Sequence, residues 1–230
     1  MSWTFDWAPY MMASGSPEAL VQLASRAGHG MGSRDTQPPH PSTTNAPSAA
    51  IHRSEAAEVV AFWREAGPQQ WFAKDDNFDR RFRERFLHLH EAAARGELRD
   101  WLGWPMGALA LLVLLDQFPR NAFRGSPRMY ETDAMARDVA AAAIEAGHDR
   151  AFEPELQLFF YLPFGHSENL EDQEKCVALG QHLGEPNISH AKRHCEIIRR
   201  FGRFPHRNPI LGRRMTEDEQ RFLDEGGYAG

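Results

Sequence analysis

The ten residues from Met106 to Leu115 are all apolar or glycine, and the polar pair Asp116-Gln117 ends the run. A membrane span needs roughly 20 such residues. A run of this length is therefore a helix buried on most sides by protein. Pro105 suits its first turn, where a missing N–H would have no helical partner anyway, and Pro119 is expected to end it. A central helix of this kind requires amphipathic neighbours, and these constrain the rest of the chain.

The neighbours are legible as helices. Phe78, Phe82, Phe86 and Leu89 recur every three or four residues, while Arg80, Arg81, Arg83, Glu84 and Arg85 fall between them, which predicts a helix over residues 75–95 with an apolar stripe. Ser54 is placed to cap a helix carrying Val59, Val60, Phe62 and Trp63, terminated by Gly67-Pro68. Further helices are expected over residues 132–146, 154–161, 167–183, 189–201 and 216–224, separated by Gly, Pro or Asn. The last opens with Thr216 and Glu219 in capping-box register. No two-residue alternation of strand type competes. The expected fold class is all-α, with about seven or eight antiparallel helices. Helix lengths and short turns suggest hairpins stacked in a tetratricopeptide-like array, although no repeat of fixed period is present.

Residues 28–50 are crowded with Gly, Pro, Ser, Thr and Asn and have no apolar period, the composition of a chain that buries too little surface to order itself. Residues 1–53 are accordingly expected to be a poorly ordered leader and linker, with one short helix over residues 17–26. Residues 54–230 are expected to be a single helical domain. The net charge of -6 argues against broad coating of nucleic acid or anionic lipid, so neither is an expected partner. Cys176 and Cys195 lack CxxC spacing, and the first residues lack a basic stretch followed by an apolar one. Reduced thiols and a cytoplasmic location are expected.

Three polar clusters interrupt the apolar pattern. In the first, Asp116 follows the buried run and needs a cation to offset its desolvation, with Arg120 or a later arginine as the expected partner. In the second, His166-Ser167-Glu168 opens the helix predicted from residue 167, where His166 could face a ligand beside free backbone N–H groups. The third runs from Arg199 to Arg214, with six arginines and one histidine within sixteen residues, including Arg203, His206, Arg207 and Asn208. Guanidinium forks favour carboxylate or phosphate. One reading has these arginines pairing with acids inside the bundle; the other leaves several for a ligand. His190 and His194 stand four apart on one helical face, but without the glutamate of a zinc-protease pattern, and no metal or other cofactor is expected.

These clusters in this order resemble a mainly bacterial family of helical proteins, domain of unknown function nine hundred and twenty-four. The matching segments are Leu114 to Asn121 with Phe123-Arg124-Gly125, then Pro163-Phe164 with His166-Ser167-Glu168 and Gln173. The closing match is His194 with Phe201 to Asn208, Leu211-Gly212-Arg213, Thr216 and Phe222-Leu223. The resemblance covers residues 55–223 and implies a tetratricopeptide-like helical fold, but no activity. Met215 departs from the small polar residue expected before the Thr216 cap. The residues themselves point first to a module binding a small anionic molecule or acidic peptide through Asp116, Arg120, His166, Glu168, His194, Arg203, His206, Arg207 and Asn208. The alternatives are a hydrolase or lyase using His166 or His206 with Glu168 or Asp116, and a scaffold for a protein partner of unspecified kind.

Overall fold

The computed structural model describes residues 46–229, and most of the expected leader, including the helix over residues 17–26, lies outside them. The described helices are α1 (Ala46–Trp71), α2 (Asp76–Ala94), α3 (Pro105–Leu112), α4 (Phe118–Ala122) and α5 (Asp133–Glu145). They continue as α6 (Pro154–Gly165), α7 (Leu170–Gly180), α8 (Asn187–Phe201) and α9 (Glu217–Asp224). A π-turn, Val113–Gln117, joins α3 to α4 without a break, so the two read as one irregular helix in an all-α bundle of about eight.

The core is built around α3, which packs on α1, α5 and α6 and buries every residue from Gly107 to Leu112. The predicted stripe of α2 is buried at Phe78, Phe82, Phe86 and Leu89, and the Asp75 side chain caps its first turn. Trp63 of α1 meets Phe82, Phe159 and Trp71 with ring centroids 5.5, 5.3 and 6.0 Å apart. Fully burying each such side chain stabilises by roughly 1.5–3 kcal/mol. At Gly107 a Cβ would lie 2.2 Å from the Trp101 carbonyl oxygen, so only glycine lets α3 approach that backbone.

Several boundaries differ from the sequence expectation. Helix α1 begins at Ala46, so Ser54 lies inside it and residues 46–53 belong to the helix rather than to a linker. Ala46, Ala49 and Ala50 favour helix, and Pro47 is tolerated in a first turn. The break at Gly67 is as expected: its φ of 69° is not helical, and Pro68 starts one further turn. Pro119 does not end the central helix, which runs on to Ala122. Likewise α6 passes through Pro163 to Gly165, so His166 closes α6, and α7 starts at Leu170, capped by Asn169, rather than at Ser167.

Candidate functional site

The π-turn positions the site. Phe118 N–H donates to Val113, five residues back, so the Leu114 carbonyl loses its usual helical donor. Pro119 has no N–H to give, which frees the Leu115 carbonyl four residues back. Other elements supply both missing donors: His90 Nδ1 lies 2.9 Å from the Leu114 oxygen, and the Thr132 hydroxyl donates to Leu115. The extra residue in the turn brings Asp116 and Gln117 into the interior, where they are 1 % and 4 % exposed.

Asp116 is fully partnered. Its Oδ1 lies 2.8 Å from His166 Nδ1 and 3.2 Å from an Arg120 nitrogen, and its Oδ2 accepts from Gln117 Nε2 at 2.6 Å. Burial alone would raise the Asp116 carboxyl, but Arg120, His166 and the hydrogen bonds outweigh it and hold the group near a pKa of about 2. A carboxylate can only accept, so His166 Nδ1 carries the proton and Nε2 holds a lone pair. Burial and the Arg120 charge lower the His166 pKa despite Asp116 opposite, and the ring stays neutral at pH 7.

Arg120 also reaches α5. It donates to both oxygens of Asp133, at 2.8 and 3.1 Å, and to the Asp116 backbone carbonyl at 2.7 Å. Beyond Asp133 lies Arg207. Its nearest carboxylate oxygen is Asp133 Oδ2 at 3.7 Å, too long for a hydrogen bond, and its Nε has no acceptor among the described residues. Arg207 is 7 % exposed. The Tyr130 and Phe204 rings lie against it, with centroids 4.6 and 4.5 Å from Cζ. Burial and the Arg120 charge lower its pKa, against the pull of Asp133.

An aromatic wall adjoins this guanidinium. Tyr228 packs on His194 at 4.5 Å and His206 at 5.1 Å, and both imidazoles flank Phe204, at 5.4 and 5.6 Å. Burial, with His166 nearby, depresses His194 to a pKa of about 3, and burial, with Arg207 nearby, does the same to His206.

The remaining sequence candidates fall on either side. Glu168 accepts from Arg213 at 2.6 and 2.9 Å and from Phe204 N–H at 2.8 Å, which clasps the α6–α7 corner to the arginine loop. Arg203 pairs with Glu219, whose other duty is the Thr216 capping box, and two open grooves run beside that pair. Asn208 is buried, with its amide directed at Met215 sulfur at 3.3 Å. Asp116, Arg120, His166 and Arg207 are thus linked through one chain of contacts, His194 and His206 wall it, and Arg203 stands apart. Among the described residues no three His, Cys, Asp or Glu side chains converge as a metal set.

Sequence reasoning missed Asp133, Tyr130 and Tyr228. An acid in the first turn of a helix reads as a partner for the helix dipole, which disguises Asp133. The two tyrosines lie outside the motifs.

Comparisons with known proteins agree with this picture of the fold. The family model for a bacterial protein of unknown function, DUF924, matches residues 59–227. A solved structure of a protein of unknown function from Agrobacterium tumefaciens is 50% identical, with a TM-score of 0.74, covering 78% of this chain and 99% of that one. No curated protein matches the chain. The family match takes in the π-turn, the His166 corner and the arginine loop together, and the chain belongs to this bacterial family.

Proposed function

We propose that the buried cluster binds a small anionic molecule, with Arg207 as its anchor. The observation that carries this reading is an arginine only 7 % exposed whose buried Nε has no acceptor among the described residues, its nearest carboxylate oxygen lying 3.7 Å away. Unsatisfied buried donors cost free energy, so a fold that retains one at a cationic group gains when an anion supplies the acceptor. The burial favours a small molecule over an acidic peptide.

In a thermal-shift series with acetate, succinate and inorganic phosphate, at least one anion should raise Tm. At five times its Kd the gain is about 1 kcal/mol, or about 2–4 °C for a domain of this size. Arg207→Ala should abolish the response. If none of the three anions moves Tm beyond a chloride control, the reading fails.

A second reading, an acid–base enzyme, rests on the Asp116–His166 pair. Ionised Asp116 fixes the imidazole orientation and leaves Nε2 as the basic nitrogen, the arrangement a general base needs. Long-range ¹H–¹⁵N spectra should show the Nδ1–H tautomer of His166 at pH 7.5. An Nε2–H tautomer would eliminate His166 as a base. Glu168 is held by Arg213, and His206, edge-on to Tyr228 with Nδ1 unpartnered, has no carboxylate hydrogen-bonded to its ring among the described residues to orient it.

Two further features belong to this proposal. Successive packing of α5 on α6, α6 on α7 and α7 on α8 supports a tetratricopeptide-like stack. The two cysteines are free and buried, and burial pushes the Cys176 thiol up to about 12, as suits a chain working in a reducing cytoplasm. No helix among the described residues is long and apolar enough to cross a membrane.

A further inference from the structure

We infer that the anion held by Arg207 is a monocarboxylate rather than a phosphate, an inference that rests on the anion-site reading above. An unmatched hydrogen-bond donor carries it: Arg207 Nε is buried with no acceptor among the described residues. Arg120 is committed to Asp116 and Asp133, and Arg213 to Glu168, so among the described residues Arg207 is the arginine of this cluster without a hydrogen-bonded carboxylate, its contact to Asp133 being 3.7 Å long. One edge of a guanidinium presents two parallel N–H groups, which match the two oxygens of a single carboxylate. A phosphate dianion brings twice the charge and a third oxygen, and neighbouring Arg120 already gives both terminal nitrogens to Asp133 and the Asp116 backbone. The extra charge would face Asp133, whose Oδ2 is only 3.7 Å from the Arg207 nitrogen. Phosphate sites gain from several cations or free N–H donors converging on one point.

The surroundings agree. Tyr130, Phe204 and the Tyr228–His206 pair offer ring surface near the guanidinium, suited to the apolar body of an organic acid. Rings exclude water and attract the cation, but they supply no lone pair to replace the missing acceptor. The carboxylate supplies it.

The test uses ¹⁵N-labelled protein and the Arg207 Nε–H signal, assigned by its disappearance in Arg207→Lys. Sodium acetate, sodium benzoate and inorganic phosphate are titrated at pH 8, where phosphate is mainly a dianion, at constant ionic strength. The expected result is a shift with acetate or benzoate at a concentration roughly tenfold or more below that needed for phosphate. Arg207→Lys keeps the charge but loses the fork and the reporter signal; its carboxylate binding, read beside the wild-type chain from the rise in Tm, should be weaker by a similar factor. Phosphate binding as well as or better than both carboxylates overturns this inference and leaves the anion-site reading standing. No shift with any of the three overturns both. Equal carboxylate binding by Arg207 and Lys at this position removes the fork argument and with it the inference.

Discussion

Arg120→Ala is expected to destabilise the fold by about 3–5 kcal/mol, read as a lower urea midpoint at unchanged slope. Arg120 is the common cation of two carboxylates: it lies 3.2 Å from Asp116, makes two hydrogen bonds to Asp133, and its side chain is only 15% exposed. Removing it leaves Asp116 fully buried with only Gln117 and the His166 imidazole as partners, and Asp133 with a guanidinium at 3.7 Å. The same change should raise the Asp116 carboxyl from its depressed value, because Arg120 is the larger of its two opposing charges. Volume and charge can be separated. Arg120→Met keeps most of the packing and removes the charge, so it should lose nearly as much stability as alanine. A loss below about 1 kcal/mol for the methionine variant would show that the carboxylates do not depend on this cation.

Much of this arrangement was legible before any coordinates. The apolar run through Leu115 and the phenylalanine stripe of α2 fixed a buried helix and one of its neighbours, because helical period and burial are coupled through 3.6 residues per turn. The Thr216 capping box and the Asp116–Arg120 pair were also predictable, since both partners are close in sequence. What escaped was non-local. Pro119 and Pro163 read as helix stops, yet side chains from elsewhere, such as the Thr132 hydroxyl at Leu115, supply the donors that let the central helix continue. The pairing of the arginine run was equally invisible. Arg199 meets Glu174, Arg203 meets Glu219 and Arg213 meets Glu168, and each partner lies on another element. With those pairs assigned and Arg200 and Arg214 exposed to solvent, Arg207 stands out as the buried arginine of the run without a hydrogen-bonded carboxylate among the described residues.

Acid is expected to weaken the fold in two separate windows, and the upper one reports directly on the wall of the site. His194 and His206 are held near a pKa of about 3, against about 6.5 in an unfolded chain, so the unfolded state binds the extra protons as pH falls below 6.5. Folded stability is therefore full above pH 6.5 and declines on acidification, by about 2 kcal/mol per imidazole at pH 5. His166, His90 and His190, also lowered by burial, add in the same direction. The depressed carboxyls of Asp116 and Glu219, both near about 2, are silent in this range, since their stabilisation is lost only as pH drops from about 4 toward 2. Urea midpoints at pH 7.5 and 5.0 isolate the imidazoles. The wild-type chain should lose several kcal/mol between them, and His206→Asn should lose less. Equal midpoints at the two pH values would mean that these rings accept protons in the folded state. Positive charge would then be tolerated beside Arg207, and burial would not be what holds the wall of the site neutral.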